Sequence, residues 1–280
     1  MKHWDTVAIV GVGLIGGSIG RGLRRRGLAR EVVGVGRRQE SLRTAQQLGA
    51  VDRTTLDLAE AAAEADLVVV CTPVGRIAAD VRAAAKASRN HALITDVGST
   101  KAQIVAELDG ALPGGSRFVG SHPLAGSEKN GPAAADADLF VDRTVLVTPI
   151  DSTREDDLAA IGDLWASLGA RVVKLSPADH DRALAATSHL PHLVAAALAA
   201  TTSPDDLPLT ATGWADTTRI ASGDPELWSQ IFLSNQAPVL AALSRYQETI
   251  GQLRQAIESR DDGELVRLLA EARNRRDQLL

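Results

Sequence analysis

The chain has 280 residues, 45% hydrophobic and 23% charged, with a formal net charge of −5, a composition typical of a globular protein with one large or two ordinary domains. The negative charge argues against nucleic-acid binding, so the basic run from Arg21 to Arg30 is interpreted as a solvated helix face. The single cysteine, Cys71, excludes an internal disulfide and indicates the reducing cytoplasm; we expect no signal peptide and no stretch apolar enough to span a membrane.

Short apolar runs alternate with amphipathic stretches through the first 175 residues. Strands are predicted at residues 6–10, 31–35, 66–71, 92–96, 118–120, 144–148 and 171–175. Helices are predicted between them at residues 18–28, 38–48, 56–65, 77–87 and 156–168. Strands that alternate with helices form parallel sheets, and continuous apolar strands are buried on both faces. We therefore predict an α/β fold in which residues 1–175 form a Rossmann-type, doubly wound, mostly parallel sheet.

Strand signals nearly vanish after Pro177, where alanine- and leucine-rich helices begin. Residues 176–280 are predicted to form an all-helical domain. Within it, six apolar residues are spaced alternately by four and three: Val239, Leu243, Tyr246, Ile250, Leu253 and Ile257. This seam either packs on the core of its own chain or lies in a subunit interface. A helical tail of about 100 residues has little core of its own, which favours the interface and hence a homodimer.

A glycine-rich turn, GVGLIG, begins at Gly11 between the first predicted strand and a predicted helix. This is the position that the dinucleotide-binding motif requires. Gly11 permits a tight turn, Gly13 lets the backbone approach a pyrophosphate, and Gly16 lets helix and strand pack closely. The helix then opens at Leu14 and Ile15, whose free N–H groups suit the phosphates. The turn predicts a site for NAD or NADP.

The end of the second strand distinguishes the two cofactors. NAD enzymes usually place a carboxylate there, whereas this chain has Arg37 and Arg38, whose guanidinium groups suit a 2′-phosphate. NADP is therefore favoured, with NAD as the alternative if the arginines are solvated or stack on adenine. Thr72 and Pro73 follow another strand end, and their backbone is expected to line the cofactor.

Three segments carry polar residues where a buried core would exclude them: DVGSTK from Asp96, GSHPLAGSEK from Gly120, and SHLPH from Ser188. The first two follow strands, whose carboxyl ends face the ligand crevice in such sheets. The histidines His122, His189 and His192 could form a zinc site, but no carboxylate or cysteine joins them at ligand spacing, so we expect no metal.

These segments, together with DTTRIA from Asp216, resemble the motifs of the prephenate/arogenate dehydrogenase family. Gly213-Trp214 and DPELW from Asp224 extend the resemblance, which covers nearly the whole chain as far as about Asn235. The family has a Rossmann domain followed by a helical dimerisation domain. The resemblance implies NAD(P)-dependent oxidative decarboxylation of prephenate to 4-hydroxyphenylpyruvate in tyrosine biosynthesis, or alternatively of arogenate to tyrosine. No carboxylate is obviously placed to bind the arogenate ammonium, which favours prephenate.

The resemblance also implies roles for three residues at the reacting centre. His122 corresponds to the catalytic histidine that contacts the substrate hydroxyl, and imidazole suits proton transfer because its pKa lies near neutral. Ser99 corresponds to a serine that holds this hydroxyl and the nicotinamide, although from the residues alone it could merely cap a helix. Arg219 corresponds to the arginine that binds a substrate carboxylate.

The remaining implied residues lie on the substrate side. His192 and His189 correspond to substrate-binding histidines, and Glu128 resembles a gating or pH-sensing acid, although it could be an ordinary loop acid. Asp216 could orient Arg219, or the two could form a purely structural ion pair. A β-hydroxyacid dehydrogenase and a non-catalytic NADP-binding regulator are the competing interpretations; the former would need a lysine on the first long helix of the second domain, where this chain has histidines.

Overall fold

The computed structural model describes residues 3–89, 91–110, 112–126 and 131–278, and within them eight strands form one sheet. The strands are β1 Trp4–Val10, β2 Ala29–Val35, β3 Arg53–Thr55, β4 Leu67–Val70, β5 Leu93–Asp96, β6 Arg117–Pro123, β7 Thr144–Thr148 and β8 Arg171–Lys174. Their order is β3-β2-β1-β4-β5-β6-β7-β8, and every neighbouring pair is parallel except β6 and β7. The predicted fold class is confirmed, since the first six strands have the order of a doubly wound dinucleotide-binding sheet.

Six helices accompany the sheet: α1 Leu14–Arg25, α2 Gln39–Gln47, α3 Leu58–Glu64, α4 Val74–Ala87, α5 Ala102–Leu108 and α6 Glu155–Ser167. Two elements, β3 and α5, were not predicted. The three residues of β3 are too few and too polar to give a strand pattern. The start of α5 carries no side-chain cap of its own, because Asp181 from a distant helix accepts hydrogen bonds from the backbone N–H groups of Lys101 and Ala102.

The second half is helical, as predicted. Its helices are α7 Pro177–Leu184, α8 Leu190–Thr201, α9 Thr212–Thr218, α10 Pro225–Ser234, α11 Gln236–Ser259 and α12 Asp262–Asp277. A single π-helical turn, Ala185–His189, joins α7 to α8 without a break. Such turns occur mostly as insertions in α-helices and frequently lie at functional sites.

The expectation that no segment reaches the apolar length of a membrane span is wrong for one helical run, Pro177–Thr201, which does so by length and composition. Of the 18 residues that form its most apolar stretch, 28% are buried within the chain. The three histidines of this run, His180, His189 and His192, are buried inside the protein. Length and composition are weak evidence for a membrane span, since the core helices of soluble proteins pass the same test.

Two apolar layers cover the two faces of the sheet. Successive residues of a strand point to opposite faces, so Val7 and Ile9 of β1 belong to one buried cluster and Ala8 and Val10 to the other. The first cluster includes Trp165 of α6, which is fully buried. The order in which strands are added to the sheet reverses between β1 and β4. A crevice opens there beyond the strand ends, which is where such sheets bind ligands.

The predicted apolar seam lies on α11 and changes character along the helix. At its start Val239 is buried in a small cluster with Ala185 and Ala242. Further along, Ile250 and Ile257 are 44% and 63% exposed. The first turns of α11 therefore pack on the chain itself, whereas Ile250 and Ile257 are exposed in the single chain.

Candidate active site

The glycine-rich turn shapes the crevice at the end of β1. Gly11 has a φ of +97°, and a Cβ there would lie 2.7 Å from the carbonyl oxygen of Cys71, so the position requires glycine. A Cβ at Gly16 would collide with the Gly11 carbonyl oxygen, so α1 packs directly on the turn. Gly13 is the N-cap of α1, and a Cβ there would meet no atom within 4 Å. Open space therefore lies over the helix start, which has no side-chain cap.

A cavity of about 370 Å³ extends from this turn to the end of β2. Arg37 and Arg38 line it, and both side chains are exposed, without an ion pair or hydrogen bond to the described residues. Thr72 and Pro73 form another part of the wall. The Thr72 hydroxyl donates to the buried carboxylate of Asp80 at 2.7 Å, which leaves its backbone to face the cavity. The first turn of α1, which opens at Leu14 and Ile15, contains no acidic residue. The cavity therefore fits a dinucleotide with its phosphates at α1.

A chain of three side chains leads away from His122, at the end of β6. Its Nδ1 lies 2.9 Å from Nε2 of His180, and Nδ1 of His180 lies 2.7 Å from Oδ1 of Asp181. His122 is half-buried, whereas His180 and Asp181 on α7 are buried. These two hydrogen bonds thus connect the sheet to the first helix of the second half.

This geometry determines the proton positions on both imidazoles. The Asp181 carboxylate can only accept, so Nδ1 of His180 carries a proton and donates it. Nε2 of neutral His180 is then an acceptor, and Nδ1 of His122 must donate to it. Consequently Nε2 of His122 carries no proton and its lone pair is free. A neutral imidazole whose remaining nitrogen is held in this way is arranged to act as a general base.

A second network holds the loop after β5. Lys101 and Asp96 are both fully buried and form an ion pair. Asp96 also accepts hydrogen bonds from the backbone N–H of Gly98 at 2.8 Å and of Ser121 at 3.1 Å. The half-buried Ser99 lies between these anchors, and its side chain forms no hydrogen bond to the described residues. Because Asp181 satisfies the start of α5, Ser99 is not the cap of that helix.

Two histidines at the end of the π-helical turn and just after it have ring nitrogens without hydrogen-bond partners among the described residues. The Asn235 amide nitrogen donates to the carbonyl oxygen of Asp181 at 2.8 Å and to Nδ1 of His189 at 3.0 Å, so the His189 proton is on Nε2. That nitrogen is buried without a hydrogen bond to the described residues, as are both ring nitrogens of His192, which lie near the backbone of Ile220. The His192 ring stacks on Trp228 of α10 at 3.6 Å between ring centroids. Buried polar atoms without partners are costly, so these nitrogens indicate a place for polar ligand groups.

The charge states of the histidines follow from their burial. Burial lowers the pKa of His122 well below its ordinary value of 6.5, and the nearby His180, Lys101 and His189 lower it further. Burial lowers the pKa of His189 to about 4, although Asp181 opposes this shift. Burial also lowers the pKa of His180, more strongly than its hydrogen bond to Asp181 raises it. All three histidines are therefore neutral at pH 7, as the hydrogen-bond chain requires.

Two family models match nearly the whole chain. The one described as "Prephenate dehydrogenase, nucleotide-binding domain" matches residues 19–174, and the one described as "Prephenate dehydrogenase, dimerization domain" matches residues 176–271. The chain belongs to the prephenate dehydrogenase family. It is accordingly an NAD(P)-dependent dehydrogenase, as the sequence motifs predicted.

Individual relatives agree with this assignment. The chain is 36% identical over 284 residues to a cyclohexadienyl dehydrogenase of Zymomonas mobilis, covering 99% of this chain and 96% of the relative. It is similar to a prephenate dehydrogenase from Aquifex aeolicus solved with hydroxyphenyl propionate and NAD+, with a TM-score of 0.92, 34% identity and coverage of 99% and 98%. A Synechocystis arogenate dehydrogenase matches with a TM-score of 0.80, 32% identity and coverage of 98% and 100%.

The residues predicted to act on the substrate fall into two groups, one within the hydrogen-bonded elements and one on the exposed surface. His122, His189 and His192 lie on the connected elements described above. Arg219, at the end of α9, and Asp216 are exposed, and no hydrogen bond or ion pair joins them among the described residues. The predicted orientation of Arg219 by Asp216 is therefore not seen within the single chain. Glu128 lies outside the described residues.

Three residues of the site were missed by sequence reasoning: His180, Asp181 and Asn235. The segment SPADHD from Ser176 looks like an ordinary helix start, and Ser176 does accept a hydrogen bond from Asp179 N. That local explanation concealed His180 and Asp181. The signal that could have found them is a histidine and a carboxylate at neighbouring positions near the start of a helix that already has a cap. Asn235, between α10 and α11, offers no comparable signal.

Proposed function

We propose that the chain catalyses the oxidative decarboxylation of prephenate to 4-hydroxyphenylpyruvate in tyrosine biosynthesis, with His122 as the general base. The observation that carries this proposal is the chain His122–His180–Asp181, which leaves Nε2 of His122 unprotonated beside a dinucleotide-binding sheet. An alcohol can lose a hydride only if a group accepts the hydroxyl proton, and a fixed neutral imidazole is suited to do so.

The protein's own contribution is proton transfer and positioning. When bound, the dinucleotide would supply the hydride acceptor for the ring carbon that carries the hydroxyl group. As that hydride leaves, Nε2 of His122 takes the hydroxyl proton. The ring carboxylate then departs as CO2, its bonding electrons make the ring aromatic, and His122 returns the proton to the ring oxygen. Ser99, whose hydroxyl is uncommitted, holds the substrate oxygen and the nicotinamide in place.

The substrate's carboxylates need donors, and the unpaired nitrogens beyond the π-helical turn supply them. Nε2 of His189 carries a proton and has no partner, and His192 is held against Trp228 with both nitrogens unpaired. We assign these two histidines to the substrate side. Arg219 has the planar guanidinium that binds a carboxylate with two parallel hydrogen bonds. As the family resemblance implies, Asp216 would orient Arg219, and Glu128 would act as a gating or pH-sensing acid.

NADP is the proposed cofactor, with NAD as the alternative. Arg37 and Arg38 stand at the end of β2, and neither is neutralised by a carboxylate of the described residues. Two unpaired guanidinium groups at this position favour a 2′-phosphate over a free 2′-hydroxyl. Gly11, Gly13 and Gly16, with the open start of α1 at Leu14 and Ile15, would hold the pyrophosphate.

We further propose that residues 1–175 form the cofactor domain and residues 176–280 a domain through which two chains form a homodimer in the cytoplasm. The uncovered half of the α11 seam supports the dimer, because Ile250 and Ile257 are exposed in the single chain. The free thiol of Cys71 is in keeping with a reducing compartment.

A spectrophotometric assay of reduced-cofactor formation tests the reaction. Prephenate and arogenate are each offered with NADP and with NAD, and CO2 release is measured in parallel. We expect turnover of prephenate, with NADP giving the higher kcat/KM. Turnover of arogenate but not of prephenate would show that arogenate is the substrate. If neither compound is turned over while the cofactor still binds, the proposed reaction is overturned. Arg219→Ala should raise KM for prephenate far more than it lowers kcat.

A further inference from the structure

A second cavity lies on the other side of β6 from the cofactor crevice. Its volume is about 260 Å³, and it is enclosed by α5, the start of β6, the loop after β7 and the start of α6. The side chains of Val105, Leu108, Phe118 and Ile150 give it apolar walls. None of the residues assigned above to cofactor, substrate or proton transfer lines it.

Two buried hydroxyl groups in this cavity have no partner. Ser116 is 5% exposed and Thr148 is 2% exposed, and neither side-chain oxygen forms a hydrogen bond within the described residues. Both residues line the cavity. Buried hydroxyl groups in native proteins are nearly always hydrogen-bonded, so an unpaired pair at one cavity points to an occupant that accepts hydrogen bonds.

The charges of the cavity favour an anion. Its charged lining residues are Arg117, Arg154 and Asp157, which leaves one positive charge in excess. Nε of Arg117 donates to Asp157 at 2.9 Å, so the guanidinium is fixed while its two terminal nitrogens form no hydrogen bond with the described residues. Arg154 is exposed and forms no ion pair or side-chain hydrogen bond with the described residues. Terminal guanidinium nitrogens that are fixed but unused are well suited to a carboxylate.

The cavity also contacts the elements that hold the candidate base. Gly120 lines the cavity and pairs with Thr148 across β6 and β7. A Cβ at Gly120 would lie 2.6 Å from the Thr148 hydroxyl oxygen and 3.3 Å from Cδ of Lys101, so both side chains pack closely against Gly120. Gly120 precedes His122 by two residues on the same strand. A shift of Thr148 would therefore press on Gly120, which also packs against Lys101 and shares β6 with His122.

We propose that this cavity is a second binding site, which takes a small carboxylate with an apolar body, and that its occupancy changes kcat. The carboxylate binds Arg117 and Arg154 and accepts hydrogen bonds from Ser116 and Thr148. The apolar body occupies the space between α5 and Ile150. The change in kcat arises from displacement of Thr148 against Gly120 and Lys101.

Binding is tested by calorimetric titration of the full-length protein with 4-methylpentanoate, with 4-methylpentanamide as the uncharged analogue. We expect one site per chain for the carboxylate and at least ~10-fold weaker binding of the amide, since the charge-assisted hydrogen bonds are lost. Thr148→Val, Ser116→Ala and Arg154→Gln should each weaken binding by about 10-fold. Thr144→Val, at the other end of β7, and Arg143→Gln, an exposed arginine outside the cavity, are the matched controls and should bind as the parent does.

Absence of binding, or binding that Thr148→Val and Arg154→Gln leave unchanged, would overturn the site. This titration does not depend on the proposed reaction. Kinetics with prephenate then test the coupling: 4-methylpentanoate should change kcat and leave KM for prephenate nearly constant. A purely competitive pattern would place the probe in the substrate site and overturn the proposal, and an unchanged kcat at saturation would overturn the coupling.

Discussion

Nε2 of His180 lies 2.9 Å from Nδ1 of His122, and this contact determines which nitrogen of His122 carries a proton. Replacing His180 by Phe removes the acceptor, so His122 is free to rotate and to protonate either nitrogen. We expect kcat to fall by about 10- to 100-fold, as is usual when the partner of a functional histidine is lost. His180→Gln, whose amide oxygen can accept the Nδ1 proton, should recover part of the rate and of the parent pH profile. Equal losses in Phe and Gln variants would contradict a positioning role.

His122 itself is expected to be indispensable for turnover. His122→Asn should lower kcat by at least ~100-fold, because a general base is lost. The matched control is His91→Asn, an exposed histidine with a φ of +51° that asparagine tolerates. Activity of the parent requires neutral His122, so kcat/KM should fall with decreasing pH only below 6.5, since burial lowers the pKa of this histidine. Near-normal turnover of His122→Asn would remove it from the mechanism.

The buried histidines should make stability depend on pH. Burial lowers the pKa of His122, His180, His189 and His192, so these side chains stay neutral in the fold while the unfolded chain takes up protons below about pH 6.5. The free energy of unfolding should therefore fall as the pH decreases from 7 to 5.5. His122 and His189, whose pKa values lie well below 6.5, should each contribute about 1 kcal/mol per pH unit to this fall. Urea unfolding at several pH values measures the slope. A stability that stayed level or rose would mean that these histidines are protonated in the fold.

The two arginines at the end of β2 should set the cofactor preference. Arg37→Gln combined with Arg38→Gln should lower kcat/KM for NADP at least ~10-fold and leave the value for NAD almost unchanged, because only NADP carries the 2′-phosphate. Arg43→Gln on α2, outside the cavity, is the control of equal charge. Steady-state kinetics with both cofactors provide the comparison. Parallel losses for both cofactors would show that the arginines bind a group that NAD shares.

The exposed half of the α11 seam should be needed for assembly. Ile250→Asp and Ile257→Asp place a charge on this apolar face and should convert the dimer to monomers, because a buried unpaired charge is costly. Gln255→Asp introduces the same charge on the same helix away from the seam and should leave the dimer intact. Sedimentation velocity measures the mass of each variant. A parent protein that sediments as a monomer would rule out the proposed homodimer.

Local residue patterns were sufficient for most of the fold and for the family. Strand and helix periodicity reflects which side chains are buried, and this is a short-range property, so β1, β4 and β7 were predicted almost to the residue. The glycine turn is likewise local, because Gly11 must adopt a positive φ wherever the chain goes next. The pattern failed at α5, whose start is satisfied from another part of the chain.

Only the tertiary structure decided which ring nitrogen of His122 carries the proton. Its partner His180 is 58 residues away, and Asp181 is 80 residues from the Lys101 N–H that it accepts. No spacing in the sequence encodes such contacts, since they exist only after α7 has packed beside β6 and α5. A proton position is a property of the whole hydrogen-bond chain. For that reason the residues of the site could be named from their motifs, while the state in which His122 meets its substrate required the folded protein.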